Sequence, residues 1–191
     1  LPLLSTYLFL MNSESYDYDD DFEQATDALE RKDYKTAYKL FLRLAAHGDA
    51  DAQFNLGALY DFGNGVPQNY KKALKWYRLS AEQGDVDAQN NLGLMYYEGK
   101  GVPQDNEEAV KWFRLAAEQE NADAQYCLGL IYDLGDGVPQ DYKEAVKWYR
   151  LSAEQGDPEA QLRLGQMYQY GFGVKEDDKE AVKWYRLAAE Q

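Results

Sequence analysis

Few side chains in this sequence form the combinations that acid–base, nucleophilic or metal chemistry requires. His47 is the only histidine and Cys127 the only cysteine among the 191 residues. A single histidine excludes a histidine pair as metal ligands and disfavours a catalytic triad, and a single cysteine leaves no disulfide within the chain. We expect the Cys127 thiol to be partly exposed and inert, because no second histidine or basic cluster is available to activate it.

Asp61 and Asp133 are the carboxylates best suited to paired acid–base chemistry, and they occupy equivalent places two units apart in a repeating pattern. Hydrolysis by paired carboxylates needs the two groups about 5 to 10 Å apart. Stacked helices lie about 8 to 10 Å apart, and several helices separate these two residues. The sequence therefore predicts no enzymatic activity.

Phosphate, nucleic acid and metal ions are also disfavoured as ligands. The glycine-rich segment Gly63-Asn64-Gly65 recurs along the chain, but no Gly-x-x-x-x-Gly-Lys-Ser/Thr sequence accompanies it, so the glycines indicate turns. The net charge is -14, from 34 acidic and 20 basic residues, which opposes binding to a phosphate backbone. No calcium-binding loop sequence is present. We expect no cofactor and no metal, and a partner that carries basic residues.

The whole chain is organised by a repeat of 36 residues. Its copies begin at Asp49, Asp85, Asn121 and Asp157. A tryptophan followed by a second aromatic residue keeps the same step, at positions 76, 112, 148 and 184. A fixed period of this length indicates stacked units that bury a continuous core between neighbours, so we count one domain.

Each unit is predicted to contain two helices, called helix A and helix B. The first residue of the unit caps helix A, and Asn69 or its equivalent caps helix B. A glycine inside helix A, such as Gly57, costs about 1 kcal/mol relative to alanine and suggests close approach of helix B. Gly84 and Gly156 end helix B with a left-handed residue, but Glu120 replaces them in the second unit, where we predict local strain or a different exit.

The remaining boundaries follow from composition. An apolar run from Leu1 to Met11, followed by small residues, predicts the remnant of a secretory signal over 1–15, the alternative being a buried N-terminal segment. The next stretch, 16–21, is acidic and is predicted to be flexible. A shorter, degenerate capping unit over 22–48 then precedes the full units 49–84, 85–120, 121–156 and 157–191. We therefore expect an exported protein, with the cytoplasm as the alternative.

The residues that recur in these units carry a family resemblance. They are Ala52, Leu56-Gly57, Tyr60, Gly63, Gly65-Val66, Asp105 or Asp141, Ala109, Trp112 and Ala116-Ala117. This pattern resembles the Sel-one-like repeat, a relative of the tetratricopeptide repeat. The resemblance implies an all-α, right-handed superhelix of antiparallel helix pairs with helix A on the concave side. It also implies an adaptor or scaffold that binds other proteins, and it places the expected exported protein in the periplasm or envelope of a bacterium. Some relatives have been proposed to act on cell-wall-like compounds, which is the alternative function.

Three features depart from the family pattern. The cysteine pair that staples each unit in some exported relatives is missing. Lys175-Glu176 replaces Pro-Gln in the last turn, which predicts a looser loop. Trp184 and Leu187 would have no following unit to cover them at the end of the sequence, which suggests truncation, disorder beyond this point or an oligomeric contact.

The predicted binding surface consists of the positions of helix A that vary between units, because fixed positions hold the units together. A first row of acids, Asp51, Asp87, Asp123 and Glu159, lies in the first turn of each helix, where carboxylates stabilise the dipole without any ligand. Phe54 and Tyr126 have packing inside the fold as an alternative role. We predict binding of a peptide or helix with Lys or Arg among apolar anchors. Its contacts are assigned to four further rows: Phe54, Asn90, Tyr126 and Leu162; Ala58, Leu94, Leu130 and Gln166; Asp61, Tyr97, Asp133 and Gln169; Phe62, Glu98, Leu134 and Tyr170.

Overall fold

The computed structural model describes residues 18–191, with side chains from Asp20 onward, and this part of the chain is all helical. The predicted signal remnant and residues 16 and 17 lie outside it. Each helix packs mainly against the helix before it and the helix after it, giving a right-handed superhelix of antiparallel pairs. The helices are α1 (Tyr18–Glu30), α2 (Tyr34–Ala46), α3 (Ala50–Phe62), α4 (Tyr70–Ala81), α5 (Val86–Glu98), α6 (Asn106–Glu118), α7 (Ala122–Leu134), α8 (Tyr142–Glu154), α9 (Pro158–Tyr170) and α10 (Asp178–Ala189).

In each full unit helix A begins at an Asp or Asn cap and ends at a glycine, as predicted. The Asp85 carboxylate accepts a hydrogen bond from the Ala88 N–H, and the other three copies make the same contact. Gly99 and its equivalents end the helix in the left-handed conformation, at φ between 68° and 72°. Helix A therefore begins and ends at equivalent residues in every full unit, because the same two caps recur.

The glycine inside helix A is explained by the aromatic residue of helix B. A Cβ atom built on Gly93 would lie 2.7 Å from Cδ1 of Phe113, and Gly57, Gly129 and Gly165 meet a tyrosine ring in the same way. Phe113 is 1% exposed. The predicted close approach is confirmed, and the missing side chain allows a large ring to lie flat on the helix.

Two expectations about the ends of the chain are corrected. Helix α1 begins at Tyr18, although the apolar pattern placed its start at Phe22, so residues 18–21 of the acidic stretch form its first turn. Acidic groups stabilise that position, and Asp21 also forms an ion pair with Arg43. At the other end Trp184 is only 6% exposed, because its own pair and the preceding pair cover it, whereas Leu187 is 37% exposed.

The loops between helix A and helix B share one backbone hydrogen bond. The Asp177 N–H donates to the Tyr168 carbonyl at 2.9 Å, at the same place as Asp141 and Tyr132 in the preceding unit. Lys175-Glu176 therefore keeps the path of the last turn. Glu120 has φ +66° and its neighbour Asn121 donates to the Ala116 carbonyl, so helix α6 leaves by the usual route with a strained residue in place of glycine.

Candidate protein-binding surface

The last residue of each helix A is an exposed variable position. Phe62 is 70% exposed, Leu134 60% and Tyr170 60%, and Glu98 is exposed at the equivalent place in the second unit. Each ends its helix next to the left-handed glycine. This row, which we call the C-terminal ridge, presents large side chains that have no role in the interior.

The row of Phe54, Asn90 and Tyr126 lies deeper. The Phe54 ring packs 5.8 Å from the Tyr77 ring, and Tyr126 packs 5.9 Å from Tyr149, in both cases within one unit. Asn90 is 7% exposed and its Oδ1 has no hydrogen-bond partner. These three side chains therefore belong partly to the interior, while Leu162 in the same row is 46% exposed.

Internal hydrogen bonds occupy the row that contains Asp61 and Asp133. The buried Tyr77 hydroxyl donates to Asp61 at 3.4 Å, and the Tyr149 hydroxyl donates to Asp133 at 3.2 Å. Gln169, which is exposed, accepts a bond of 2.7 Å from Tyr185 in the same way. These acceptors satisfy tyrosine hydroxyls that would otherwise be costly to bury.

The second unit uses a different partner at that row. The Tyr97 hydroxyl donates to Asp136 of the next unit at 3.0 Å. Both Tyr97 and Tyr126 are half-buried and have internal contacts, so truncating the two side chains to alanine should destabilise the fold as well as weaken any binding.

Burial also affects the charges near this row. Burial raises the pKa of Asp61, while the Lys100 charge and the Tyr77 hydrogen bond lower it. Burial raises the pKa of the Tyr77 hydroxyl far above its usual range, and the Asp61 charge raises it further. Tyr77 is therefore a neutral donor at physiological pH.

The third row, Ala58, Leu94, Leu130 and Gln166, is half-buried along its whole length.

The first acidic row is exposed. Burial raises the pKa of Asp85, and the charges of Asp87 and Asp51 add to this, so adjacent units bring their helix starts close together. Asn121 Nδ2 likewise donates to Asp87 at 3.3 Å. The acidic row is thus continuous across units.

A further row of contacts was not anticipated from sequence. The residue between the two loop glycines reaches back to the first residue of the preceding helix B: Lys100 lies 5.9 Å from the centre of the Tyr70 ring, Asn106 hydrogen-bonds Asp136, and Phe172 stacks on Tyr142 with 5.0 Å between ring centres. The 36-residue step of these pairs was the available signal. Their contact depends on how far one unit rotates on the next, which the spacing alone does not give.

The described residues give no support for thiol or metal chemistry. Burial raises the pKa of the Cys127 thiol to about 12, and Asp123, Asp157 and Glu98 contribute in the same direction, so the thiol is protonated and a poor nucleophile. Among residues 18–191 no group of three His, Cys, Asp or Glu side chains is placed to hold a metal ion. No helix in this part of the chain combines the length and apolar character needed to cross a membrane.

Solved structures give close matches to this arrangement. A Sel1 repeat protein from Oxalobacter formigenes is 39% identical, with a TM-score of 0.82, over 88% of this chain and 69% of its own. A protective antigen of uropathogenic Escherichia coli strains, described as having an SLR fold, is also 39% identical, with a TM-score of 0.81, over 83% of this chain. This chain spans only 34% of the length of that antigen. The comparison with curated proteins finds no match.

The family comparison agrees with these structures unit by unit. The Sel1 repeat matches residues 26–49, 50–85, 86–121, 122–157 and 158–191, which include α2 to α10 and the C-terminal part of α1. Sel1 repeat proteins generally mediate protein–protein interactions and are typically scaffolds rather than enzymes. The resemblance seen in the sequence is confirmed, and the chain belongs to the Sel1 repeat family.

Proposed function

We propose that this chain is an interaction scaffold that binds a segment of another protein along the A helices. The observation that carries the proposal is that the most exposed large apolar side chains of residues 20–191, Phe62, Leu134 and Tyr170, share one position of helix A. Phe62, Leu134, Leu162 and Tyr170 all belong to helix A and are 46% to 70% exposed. Exposed apolar side chains that recur at one position of a charged surface indicate an interaction site more strongly than scattered single residues do.

The partner in this proposal carries basic residues beside its apolar anchors. The net charge of -14 and the continuous acidic row favour association with a cationic segment and repel an acidic one. The proposed compartment is the bacterial periplasm or cell envelope, supported by the apolar run Leu1 to Met11, which lies outside the described residues. The cytoplasm is the alternative, so both fractions are needed as sources of partner.

The experiment compares the two faces of the solenoid. The chain is immobilised, incubated with envelope and cytosolic extracts, and each recovered protein is produced in pure form for calorimetric titration. Changing Phe62, Leu134 and Leu162 to serine is expected to weaken direct binding by about tenfold or more, since these are the exposed anchors.

A matched control uses exposed leucines of helix B. Leu115 and Leu151 are 45% and 38% exposed, and their change to serine should leave the affinity unchanged. Loss of affinity in this control with retention in the helix A variant would move the interface to the other face and contradict the proposal. The enzymatic alternative would be revived by turnover of cell-wall fragments that Asp61→Asn abolishes.

A further inference from the structure

The two ends of helix A differ in their electrostatics, although both carry carboxylates. At the start of each helix the acids of the first row face the positive end of the helix dipole, where each stabilises the fold. At the other end Asp61 and Asp133 lie in the last turn, beside the negative end of the dipole. A carboxylate there is unfavourable for the same physical reason.

Among the described residues no ion pair corrects this arrangement at Asp61 and Asp133, and the charge of Lys100 only partly offsets the rise in the pKa of Asp61. The last turn of helix A has no basic residue in any full unit. Within residues 18–191 neither Asp61 nor Asp133 forms an ion pair. The nearest cation of this surface, Lys100, pairs with Glu98 at 2.6 Å. Neutral side chains take the place of a cation, since Gln68 and Gln140 donate to the carbonyls of Asp61 and Asp133.

The B helices show that the chain does place cations at helix ends elsewhere. Arg43, Arg78 and Arg186 lie in the last turns of α2, α4 and α10. The B helices α6 and α8 lack such a cation and end in Glu118 and Glu154. The A helices differ in that their uncompensated carboxylates lie beside the exposed apolar side chains of the C-terminal ridge. Phe62 follows Asp61 directly, and Leu134 follows Asp133.

The helix ends form a continuous surface across the units. Tyr97 at the end of α5 bonds to Asp136 in the loop after α7. Phe172 in the last loop stacks on Tyr142 of the preceding unit and also packs 5.8 Å from Tyr170 at the end of α9. Alternating apolar and negative groups are thus presented along one edge of the solenoid. A segment laid along this edge would meet an aspartate and an exposed apolar residue at the first and third units, Glu98 at the second and Tyr170 at the last.

We infer that the partner of the proposed scaffold docks on the C-terminal ridge, with apolar side chains against Phe62, Leu134 and Tyr170 and with Lys or Arg side chains against Asp61, Glu98 and Asp133. This inference rests on the proposed function and names the place and the partner chemistry within it. The partner supplies the cations that the helix ends lack. The first acidic row, already compensated by the dipole, contributes steering but little affinity.

The test begins with selection of phage-displayed random peptides of about twelve residues, long enough when extended to span several helix ends. The full chain is the bait, and the recovered sequences are expected to combine Lys or Arg with aromatic or aliphatic residues. Synthetic copies are then titrated by fluorescence anisotropy. Recovery of acidic peptides, or of no enriched peptide, overturns the inference.

A matched pair of charge variants then locates the contact. Asp61→Asn with Asp133→Asn removes two charges from the ridge and keeps an oxygen acceptor for each tyrosine; Asp51→Asn with Asp123→Asn removes two charges from the helix starts. The ridge variant should bind the peptide about tenfold more weakly and melt about 1 to 4 °C higher. The control should bind normally and melt lower. Equal loss of binding in both variants overturns the inference.

The rise in melting temperature expected for Asp61→Asn should depend on pH. Because burial raises the pKa of Asp61 above 3.8, the charged carboxylate destabilises the folded chain once the pH exceeds the folded-state pKa. The gain from Asp61→Asn alone should therefore be full at pH 7 and lost as the pH falls below 3.8. A gain that persists at pH 3 would show a steric origin and remove the electrostatic basis of the inference.

Serine variants separate this inference from the proposed function. Binding should be lost in Phe62→Ser with Leu134→Ser and kept in Leu115→Ser with Leu151→Ser. If only Leu162→Ser abolishes binding, helix A is still the interface and the ridge is not. If only the Leu115 and Leu151 changes abolish binding, the proposed function fails as well.

Discussion

The second unit, 85–120, differs from the units on either side of it in the hydrogen bonds that its helix A forms. In the first and third units a buried tyrosine of helix B donates to an aspartate of helix A. In the second unit the equivalent ring is Phe113, which has no hydroxyl group, and Tyr97 stands at the aspartate position. Tyr97 donates instead to Asp136 in the next unit.

This comparison shows that variation between units is not by itself a sign of partner recognition. Asp61 and Tyr97 differ because the rings that face them differ. The variable positions with no internal partner are the better candidates for binding. They include Phe62 and Leu134 at the exposed ends of the A helices.

The second unit also holds two local imperfections. Asn90 stands where the neighbouring units have Phe54 and Tyr126, and its Oδ1 is buried without a partner. Glu120 stands where they have glycine, and it has a positive φ. Variants that convert these positions to the pattern of the neighbours test how much each difference costs.

The largest expected effect on stability comes from removing the buried aromatic ring that helix B packs on the glycine of helix A. Phe113→Ala and Tyr149→Ala should each cost about 3 to 5 kcal/mol in the free energy of unfolding, because each removes a buried ring packed on a glycine. Urea denaturation measures this, with Leu115→Ala as the exposed control. A loss at Phe113 no larger than that of the control would mean that the second unit is packed differently.

Asn90→Leu should raise the free energy of unfolding by about 1 to 2 kcal/mol, because it removes a buried oxygen that has no hydrogen-bond partner. Leu162 occupies the equivalent position in the last unit, so a leucine is compatible with the repeat. Chemical denaturation of the variant gives the value. Asn55→Leu, which removes a side chain that already bonds to the Asp51 carbonyl, should give no such gain. Destabilisation by Asn90→Leu would mean that the amide has a structural role.

Phe113→Tyr combined with Tyr97→Asp should recreate the tyrosine–aspartate pair of the neighbouring units. A double-mutant cycle is expected to give a favourable coupling of about 0.5 to 1.5 kcal/mol, the net value of one hydrogen bond. The single change Phe113→Tyr should be destabilising, because its hydroxyl group is buried without an acceptor. Additive single changes would disprove the link between the two positions.

Glu120→Gly is expected to have the smallest effect, a gain of about 0.5 kcal/mol, since relief of the left-handed strain is partly offset by the flexibility of glycine in the unfolded chain. Thermal unfolding followed by circular dichroism is sensitive enough to detect it. Glu118→Gly, inside the last turn of α6, should lose stability. A loss at both positions would show that Glu120 is not strained.

Much of the fold was predictable because its signals are local. Asp85 caps the helix that follows it directly in the chain, and Gly63 ends its helix by adopting the left-handed conformation itself. The start of α1 was misplaced by four residues because the apolar pattern begins at Phe22, whereas favourable acid–dipole contacts extend the helix to Tyr18. The cover over Trp184 was missed because it comes from preceding helices rather than from a following unit.

The candidate surface was predictable as a set of rows but not in its depth. The residues at Phe54 and Phe62 have the same chemistry, and both vary between units. Only the packed structure shows that the first lies against Tyr77 while the second is 70% exposed. Side-chain type and periodicity do not report which ring a neighbouring helix covers.

The sequence by itself determined the repeat, the helix boundaries within each full unit and the family, because these depend on caps, glycines and an apolar period that act within a few residues of the chain. Only the tertiary structure decided which variable side chains are occupied by internal contacts. The Tyr77 hydroxyl meets Asp61, and Tyr97 meets Asp136, through the packing of one helix on another. Those distances depend on the rotation between helices, which a linear pattern does not contain.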